Sequence, residues 1–180
     1  MEKAIFLDRD GVINEVLSHR VKFVNDPDDF YLLEGVGEAI HKLNELNYKV
    51  FVVTNQGGIG LGFMKEEDIE GIHEKMKEDL AVFAAEIDDI AYCPHKPNEG
   101  CKCRKPKPEM LFHLARKHHV ELIKSYMVGD RKPDIEAGKE AGTKTVLVGT
   151  RKEKADADIK FRDLLEFVNW LGNKEKVGHN

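Results

Sequence analysis

The sequence predicts an α/β fold of Rossmann-like type, three layers (α/β/α) around a central parallel sheet, with no large cap domain. Two observations carry this. Short unbroken apolar runs alternate with longer segments whose apolar residues recur at helical spacing. Several of those runs stop at Asp, Thr or Gly rather than at a hairpin signal, as strands joined by helical crossovers do. A chain of 180 residues, 41% hydrophobic and 34% charged, can bury one full core. We assign a single domain to residues 1–172 and a polar, frayed tail to 173–180.

Lys3–Leu7 (KAIFL) reads as the first buried strand. Residues 14–35 form a loop. A helix follows over Val36–Leu46, with apolar residues at 36, 39, 40, 43 and 46. Lys49–Val53 (KVFVV) is the second strand. Lys65 to about Ala85 is a long helix with Ile69, Ile72, Met76 and Leu80 on one face. Ile87–Tyr92 is the third strand. Pro108 suits the first position of a helix carrying Met110–His118. Tyr126–Val128 is the fourth strand, Ile135–Ala141 the next helix, Thr143–Val148 the fifth strand and Phe161–Leu171 a closing helix.

The net charge of −5 argues against a nucleic-acid partner held through phosphates. No uncharged apolar run is long enough for a membrane span, and Met1-Glu2-Lys3 leads straight into a strand without signal-peptide architecture. We therefore expect a cytoplasmic protein. The absence of an obvious exposed apolar stripe makes a monomer the expectation.

All three cysteines fall within residues 93–103, in the pattern Cys93-x-His95, five residues, Cys101-x-Cys103. Three thiolates and an imidazole so close together can close around one tetrahedral ion. Zinc prefers that ligand set, and four-ligand Cys/His sites are usually structural. A disulfide would leave one cysteine over and ignore the histidine. Thiols used as metal ligands also fit a reducing interior. Arg104 and Lys105 follow immediately, so this small loop insert would set the direction of two cations.

In parallel sheets, ligands sit beyond the carboxyl ends of the strands. Strand one ends in Asp8-Arg9-Asp10-Gly11-Val12-Ile13-Asn14, strand two in Thr54-Asn55-Gln56-Gly57-Gly58 and strand four in Gly129-Asp130-Arg131-Lys132-Pro133-Asp134. Strand three leads through the cysteine insert to Arg104-Lys105-Pro106. Any one of these residues could be a turn or cap residue. Acids, a hydroxyl and a lysine brought to one edge make a site for phosphoryl transfer. Converging carboxylates need a cation, and hard oxygen ligands select Mg²⁺. Asp8 and Asp130 can hold it, with the backbone carbonyl of Asp10 adding a ligand. Asp8 can then attack phosphorus to give an aspartyl-phosphate. Asp10 can protonate the leaving oxygen and later activate water. Thr54 and Lys105 can hold the non-bridging oxygens.

These motifs (D-x-D-G-[TV] after strand one, Thr-Asn after strand two, a later Lys, and G-D-x-x-x-D after strand four) resemble the haloacid dehalogenase superfamily of phosphatases over about residues 3–150. DRDGVIN, VNDPDDFYLLEGV, TNQGGIG and the C-x-H…C-x-C-R-K-P insert resemble one subfamily. It comprises the zinc-containing D-glycero-D-manno-heptose 1,7-bisphosphate phosphatases and the related histidinol-phosphate phosphatases. The resemblance implies a small phosphorylated substrate, Asp8 as nucleophile and Asp10 as general acid/base. It implies Mg²⁺ on Asp8, Asp10 and Asp130, zinc on Cys93, His95, Cys101 and Cys103, and substrate contacts from Thr54, Asn55, Arg104, Lys105 and Arg131. It favours removal of the C7 phosphate of the heptose bisphosphate, with histidinol phosphate the alternative. Leu61 stands where such proteins commonly carry Arg.

Gln56, Gly57 and His19 are further candidate substrate contacts on the loops around the site. His113, His118 and His119 are expected to face solvent, Arg151–Lys154 to be a solvated loop, and Trp170 to anchor the core. A receiver-type signalling module also gathers acids, Thr and Lys around Mg²⁺. It would not need Asp10 beside a nucleophile that follows strand one.

Overall fold

The computed structural model describes residues 1–178. It is one six-stranded, wholly parallel sheet in the order β3-β2-β1-β4-β5-β6. The strands are β1 (Ala4–Leu7), β2 (Lys49–Asn55), β3 (Asp89–Cys93), β4 (Tyr126–Gly129), β5 (Lys144–Val148) and β6 (Ile159–Phe161). The helices are α1 (Val36–Glu45), α2 (Glu66–Ala81), α3 (Glu109–His118), α4 (Lys132–Ala141) and α5 (Leu164–Val177). The chain steps outward from β1 to β3 and then returns to β4 on the other side of β1. That puts a topological switch point between β1 and β4, where the two halves of the sheet diverge and leave a crevice.

Side-chain alternation builds the two outer layers. Ile5, Leu7, Val50 and Val52 point to one face, under the apolar residues of α1, α2 and α5. Ala4, Phe6, Phe51 and Val53 point to the other, under Met110, Leu111 and Leu114 of α3 and Ala137 and Ala141 of α4. The expected three-layer fold and parallel sheet are present. Residues 14–35 contribute only isolated bridges and a single 3₁₀ turn at Pro27–Asp29, so no cap domain covers the carboxyl edge.

Several boundaries differ from those expected. β6, only three residues long, lies where the closing helix was expected to start; its Phe161 packs against Phe167 and Trp170 of α5. Pro108 is the cap residue before α3 rather than its first helical residue. The tail expected to fray from Asn173 is helical to Val177. There the Lys3 ammonium pairs with Glu175 at 3.0 Å and the Tyr48 hydroxyl donates to the same carboxylate, tying the last turns to the sheet. Residues 179–180 of that tail lie outside the described residues. His113 and His119 are exposed as expected, but His118 is not. Its ring lies 4.8 Å from that of Phe51, and its Nε2 lies 2.7 Å from Asp89. Trp170 is a core anchor, stacked on Phe167.

Candidate active site

At the carboxyl edge of the sheet the structure opens a cleft of about 730 Å³. Asp8, Asp10, Asn55, Gln56, Gly57, Arg104, Lys105, Asp130, Arg131 and Asp134 line it, as the strand-end argument required. Thr54 sits just beneath, buried, with its hydroxyl accepting from Gln56 Nε2 at 2.7 Å. His19 does not line the cleft. It is exposed, and Lys22 from the same loop takes the place expected of it.

The floor is a buried charge cluster. One carboxylate oxygen each from Asp8, Asp130 and Asp134 lies within 4.8 Å of the others. Lys105 Nζ donates to Asp8 at 2.9 Å, to Asp134 at 2.7 Å and to the Val53 carbonyl at 2.8 Å, so all its protons are committed. Burial, then the neighbouring Asp134, push the Asp8 carboxyl far above the usual range, with Lys105 opposing. Burial and Asp134 likewise push Asp130 up to about 6. One lysine cannot neutralise three buried carboxylates, so the cluster wants a further cation.

The residues fit one. Asp130 Oδ1 is buried with no hydrogen-bond partner. Its Oδ2 lies 3.5 Å from Arg151, a long and weak ion pair. Both oxygens of Asp134 are occupied, Oδ1 by Lys105 and Oδ2 by the Arg131 backbone N–H at the start of α4. Asp8 and Asp130 are therefore the carboxylates free to hold a hard divalent ion. Gly11 keeps that place open: at φ +86°, a Cβ there would lie 2.1 Å from Asp130 Oδ2.

The Asp10 carboxylate stands outside this cluster, which leaves only the backbone carbonyl of Asp10 as the ligand expected of it. Its Oδ1 accepts from Arg9 at 2.8 and 3.2 Å and from Asn14 at 3.0 Å, and its Oδ2 faces Gln56 at 3.4 Å. Burial alone would raise its pKa, but the Arg9 charge and these hydrogen bonds hold it below the ordinary carboxylate value.

The cysteine loop packs on one wall. The ligand atoms of Cys93, His95, Cys101 and Cys103 lie within 4.8 Å of one another, and all three cysteines are free thiols. Cys93 Sγ stands 3.6 Å from Cys101 Sγ, near the separation of about 3.7 Å that two thiolates on one tetrahedral zinc adopt, and 2.8 Å from Cys103 Sγ, closer than that. Arg104 Nη1 donates to the His95 carbonyl at 3.1 Å, inside the loop. Asn55 instead grips the Lys105 backbone from both sides, accepting from its N–H at 2.9 Å and donating to its carbonyl at 3.1 Å.

The sequence reading missed several residues. Lys22 and Arg151 bring cations to the cleft from opposite loops, and the second of these was expected to be merely solvated. Leu17, Phe23, Leu61 and Phe63 make an exposed apolar rim, against the expectation that no such patch exists. Asp134 was visible in G-D-x-x-x-D but was given no role. His73, a histidine on the buried face of α2, was the remaining signal in the sequence.

Comparison with known proteins agrees with this geometry. A HAD-hydrolase-like family model matches residues 102–166. The chain is 35% identical, over 94% of its length and 97% of the relative's, to D-glycero-beta-D-manno-heptose-1,7-bisphosphate 7-phosphatase of Helicobacter pylori. It is 37% identical, over 96% and 98%, to the alpha-anomer 7-phosphatase of Campylobacter jejuni. The crystal structure of D,D-heptose 1,7-bisphosphate phosphatase from B. bronchiseptica, complexed with magnesium and phosphate, superposes with TM-score 0.85 at 34% identity, covering 96% of this chain and 99% of that one. Similarity of this extent and evenness places the chain in the heptose-bisphosphate phosphatase family of HAD-like hydrolases.

Proposed function

We propose that the protein is a Mg²⁺-dependent phosphoric monoester hydrolase that removes the C7 phosphate of D-glycero-D-manno-heptose 1,7-bisphosphate. The observation that carries this reading is the Asp8–Lys105–Asp130 arrangement: a buried carboxylate aimed at the cleft, beside a second whose inner oxygen has no partner. The named relatives supply the substrate class.

Asp8, Asp130 and the backbone carbonyl of Asp10 would hold Mg²⁺. Its charge, when bound, offsets repulsion between the carboxylates and a phosphate dianion. Asp8 attacks phosphorus, the bond to the C7 oxygen breaks, and Asp10 delivers its proton to that oxygen. Asp10 is held ionised in the free protein; an arriving phosphate dianion raises its pKa again and lets it load that proton. In the second step Asp10 takes a proton from water, water oxygen bonds to phosphorus, and the Asp8–phosphate bond breaks. Lys105 orients Asp8. Arg104, Arg131, Lys22 and Arg151 supply positive charge to the phosphates, and Thr54, Asn55, Gln56 and Gly57 shape the wall. Cys93, His95, Cys101 and Cys103 would hold structural zinc, and their thiols suit a reducing cytoplasm.

Phosphate release from both anomers of the heptose bisphosphate, from histidinol phosphate and from a generic phosphate ester tests this reading. It predicts a kcat/KM for one heptose anomer at least about a hundredfold above that for histidinol phosphate. The reverse order would move the protein to the histidinol branch. Stable phosphorylation of Asp8 without turnover would make it a signalling module.

A further inference from the structure

We infer that His73 is a positioning residue for the reaction: it accepts a hydrogen bond from Arg9 and so fixes the guanidinium that sets the direction of the Asp10 carboxylate. This inference rests on the reading of Asp10 as the group that moves the proton.

Arg9 is fully buried, the largest such side chain among the described residues. A guanidinium is planar and rigid, so two anchored edges fix its orientation. One edge, Nε and Nη2, meets Asp10 Oδ1 at 3.2 and 2.8 Å. The remaining nitrogen, Nη1, meets His73 Nε2 at 3.1 Å. His73 comes from the middle of α2, among Ile69, Ile72 and Met76, and is 6% exposed. It is not among the residues lining the cleft and cannot touch substrate. Burial, then the Arg9 charge, hold its ring neutral down to about pH 3, so its Nε2 lone pair is available to accept.

Asn14 shows that this network is built around Asp10. Its Nδ2 donates to the same Asp10 oxygen at 3.0 Å and to the Glu15 carbonyl at 3.1 Å, while its own Oδ1 is buried with no partner among the described residues. An amide serving only the core would not leave that acceptor unsatisfied. Without His73, the Asp10 edge alone would hold Arg9. The plane could then swing about that edge, carrying Asp10 out of line with the leaving oxygen.

Leaving-group dependence separates this role from a merely structural one. An alkyl phosphate needs an acid to expel its oxygen; 4-nitrophenyl phosphate does not. The experiment measures kcat/KM on the heptose bisphosphate and on 4-nitrophenyl phosphate for wild type, His73→Leu, His73→Gln and Asp10→Asn, with melting temperatures alongside. His73→Leu should lower kcat/KM on the sugar phosphate by about tenfold or more, a fraction of the hundredfold or greater loss for Asp10→Asn, and spare the aryl ester within about twofold. His73→Gln, whose amide oxygen can accept from Arg9, should recover most of that loss. If His73→Leu does not fold, His73→Met takes its place in the comparison with Gln.

Equal losses on both substrates, or Gln no better than Leu at equal melting temperature, would overturn the inference and leave His73 a core residue. A leaving-group split for Asp10→Asn without one for His73→Leu removes His73 alone. No split for Asp10→Asn removes the Asp10 reading, and this inference with it.

Discussion

Cys101→Ser tests how far the proposed zinc loop reaches into the chemistry. By sequence, Lys105 lies two residues past Cys103, so a loosened loop should free the lysine and damage turnover. The structure argues otherwise. Lys105 is held by five hydrogen bonds outside the loop: three from Nζ, at 2.9, 2.8 and 2.7 Å, and two between its backbone and Asn55, at 2.9 and 3.1 Å. The Arg104 guanidinium has one bond, to the His95 carbonyl inside the loop. Loss of zinc should therefore release Arg104 and leave Lys105 in place. A charge-assisted contact between Arg104 and a phosphate is worth about 1.5–3 kcal/mol, so KM should rise roughly 10- to 100-fold. The kcat at saturating substrate should stay within about threefold, because Asp8 keeps its partner. Metal analysis, melting temperature and steady-state kinetics on wild type, the variant and zinc-depleted protein make the assay. A hundredfold fall in kcat at unchanged KM would refute the reasoning, since that is the signature of a misplaced Lys105. Wild-type protein without about one equivalent of zinc would refute the metal site itself.

Asp8→Asn should fold normally and lose at least about three decades of turnover, roughly 4 kcal/mol of barrier, in a phosphate-release assay; a tenth of the wild-type rate would exclude covalent catalysis by Asp8. Gly11→Ala should lower the melting temperature, because φ +86° costs a side chain about 1–2 kcal/mol, and should weaken the apparent Mg²⁺ affinity about tenfold or more by displacing Asp130. His73 makes stability pH-dependent. Its folded pKa of about 3 lies below the unfolded 6.5, so the unfolded chain binds the extra proton between these values and stability falls as pH drops through that window. Denaturant titrations of wild type should lose up to about 1.4 kcal/mol per pH unit more than His73→Gln below pH 6.5, with no difference above it.

What the sequence could reveal follows from what each signal depends on. β1, β2, β4 and β5 are buried on both faces, so each is a short apolar run, and the residue after each is fixed by chain order alone. Asp8, Asp130 and the Thr54–Asn55 pair were legible for that reason. β6 was not, because three residues of intermediate or exposed burial carry no periodicity. Nor was the extension of α5, since Glu175 is held by Lys3 and Tyr48 from the far end of the chain. Asp134 stands in the G-D-x-x-x-D motif, but that Lys105 is shared between it and Asp8 depends on distances between β1, α4 and the segment after the cysteine insert that no motif encodes.

The cleft's charge makes the same point about substrate choice. Judged by its motif, Leu61 removes a cation and weakens any case for a second phosphate. In the folded protein the cleft gathers Lys22 from the first loop, Arg104 from the cysteine insert, Arg131 from the start of α4 and Arg151 from beyond β5. These lie far apart in sequence and on different loops, yet face one cavity that also holds Asp8. Phosphate recognition depends on the field summed at the anion, not on which loop supplies each charge. Loss of one arginine at position 61 can therefore be offset from four other directions. What Leu61 changes is the rim. With Leu17, Phe23 and Phe63 it turns the mouth of the cleft apolar, so an entering substrate meets apolar surface and, from Lys22, Arg131 and Arg151, exposed positive charge side by side.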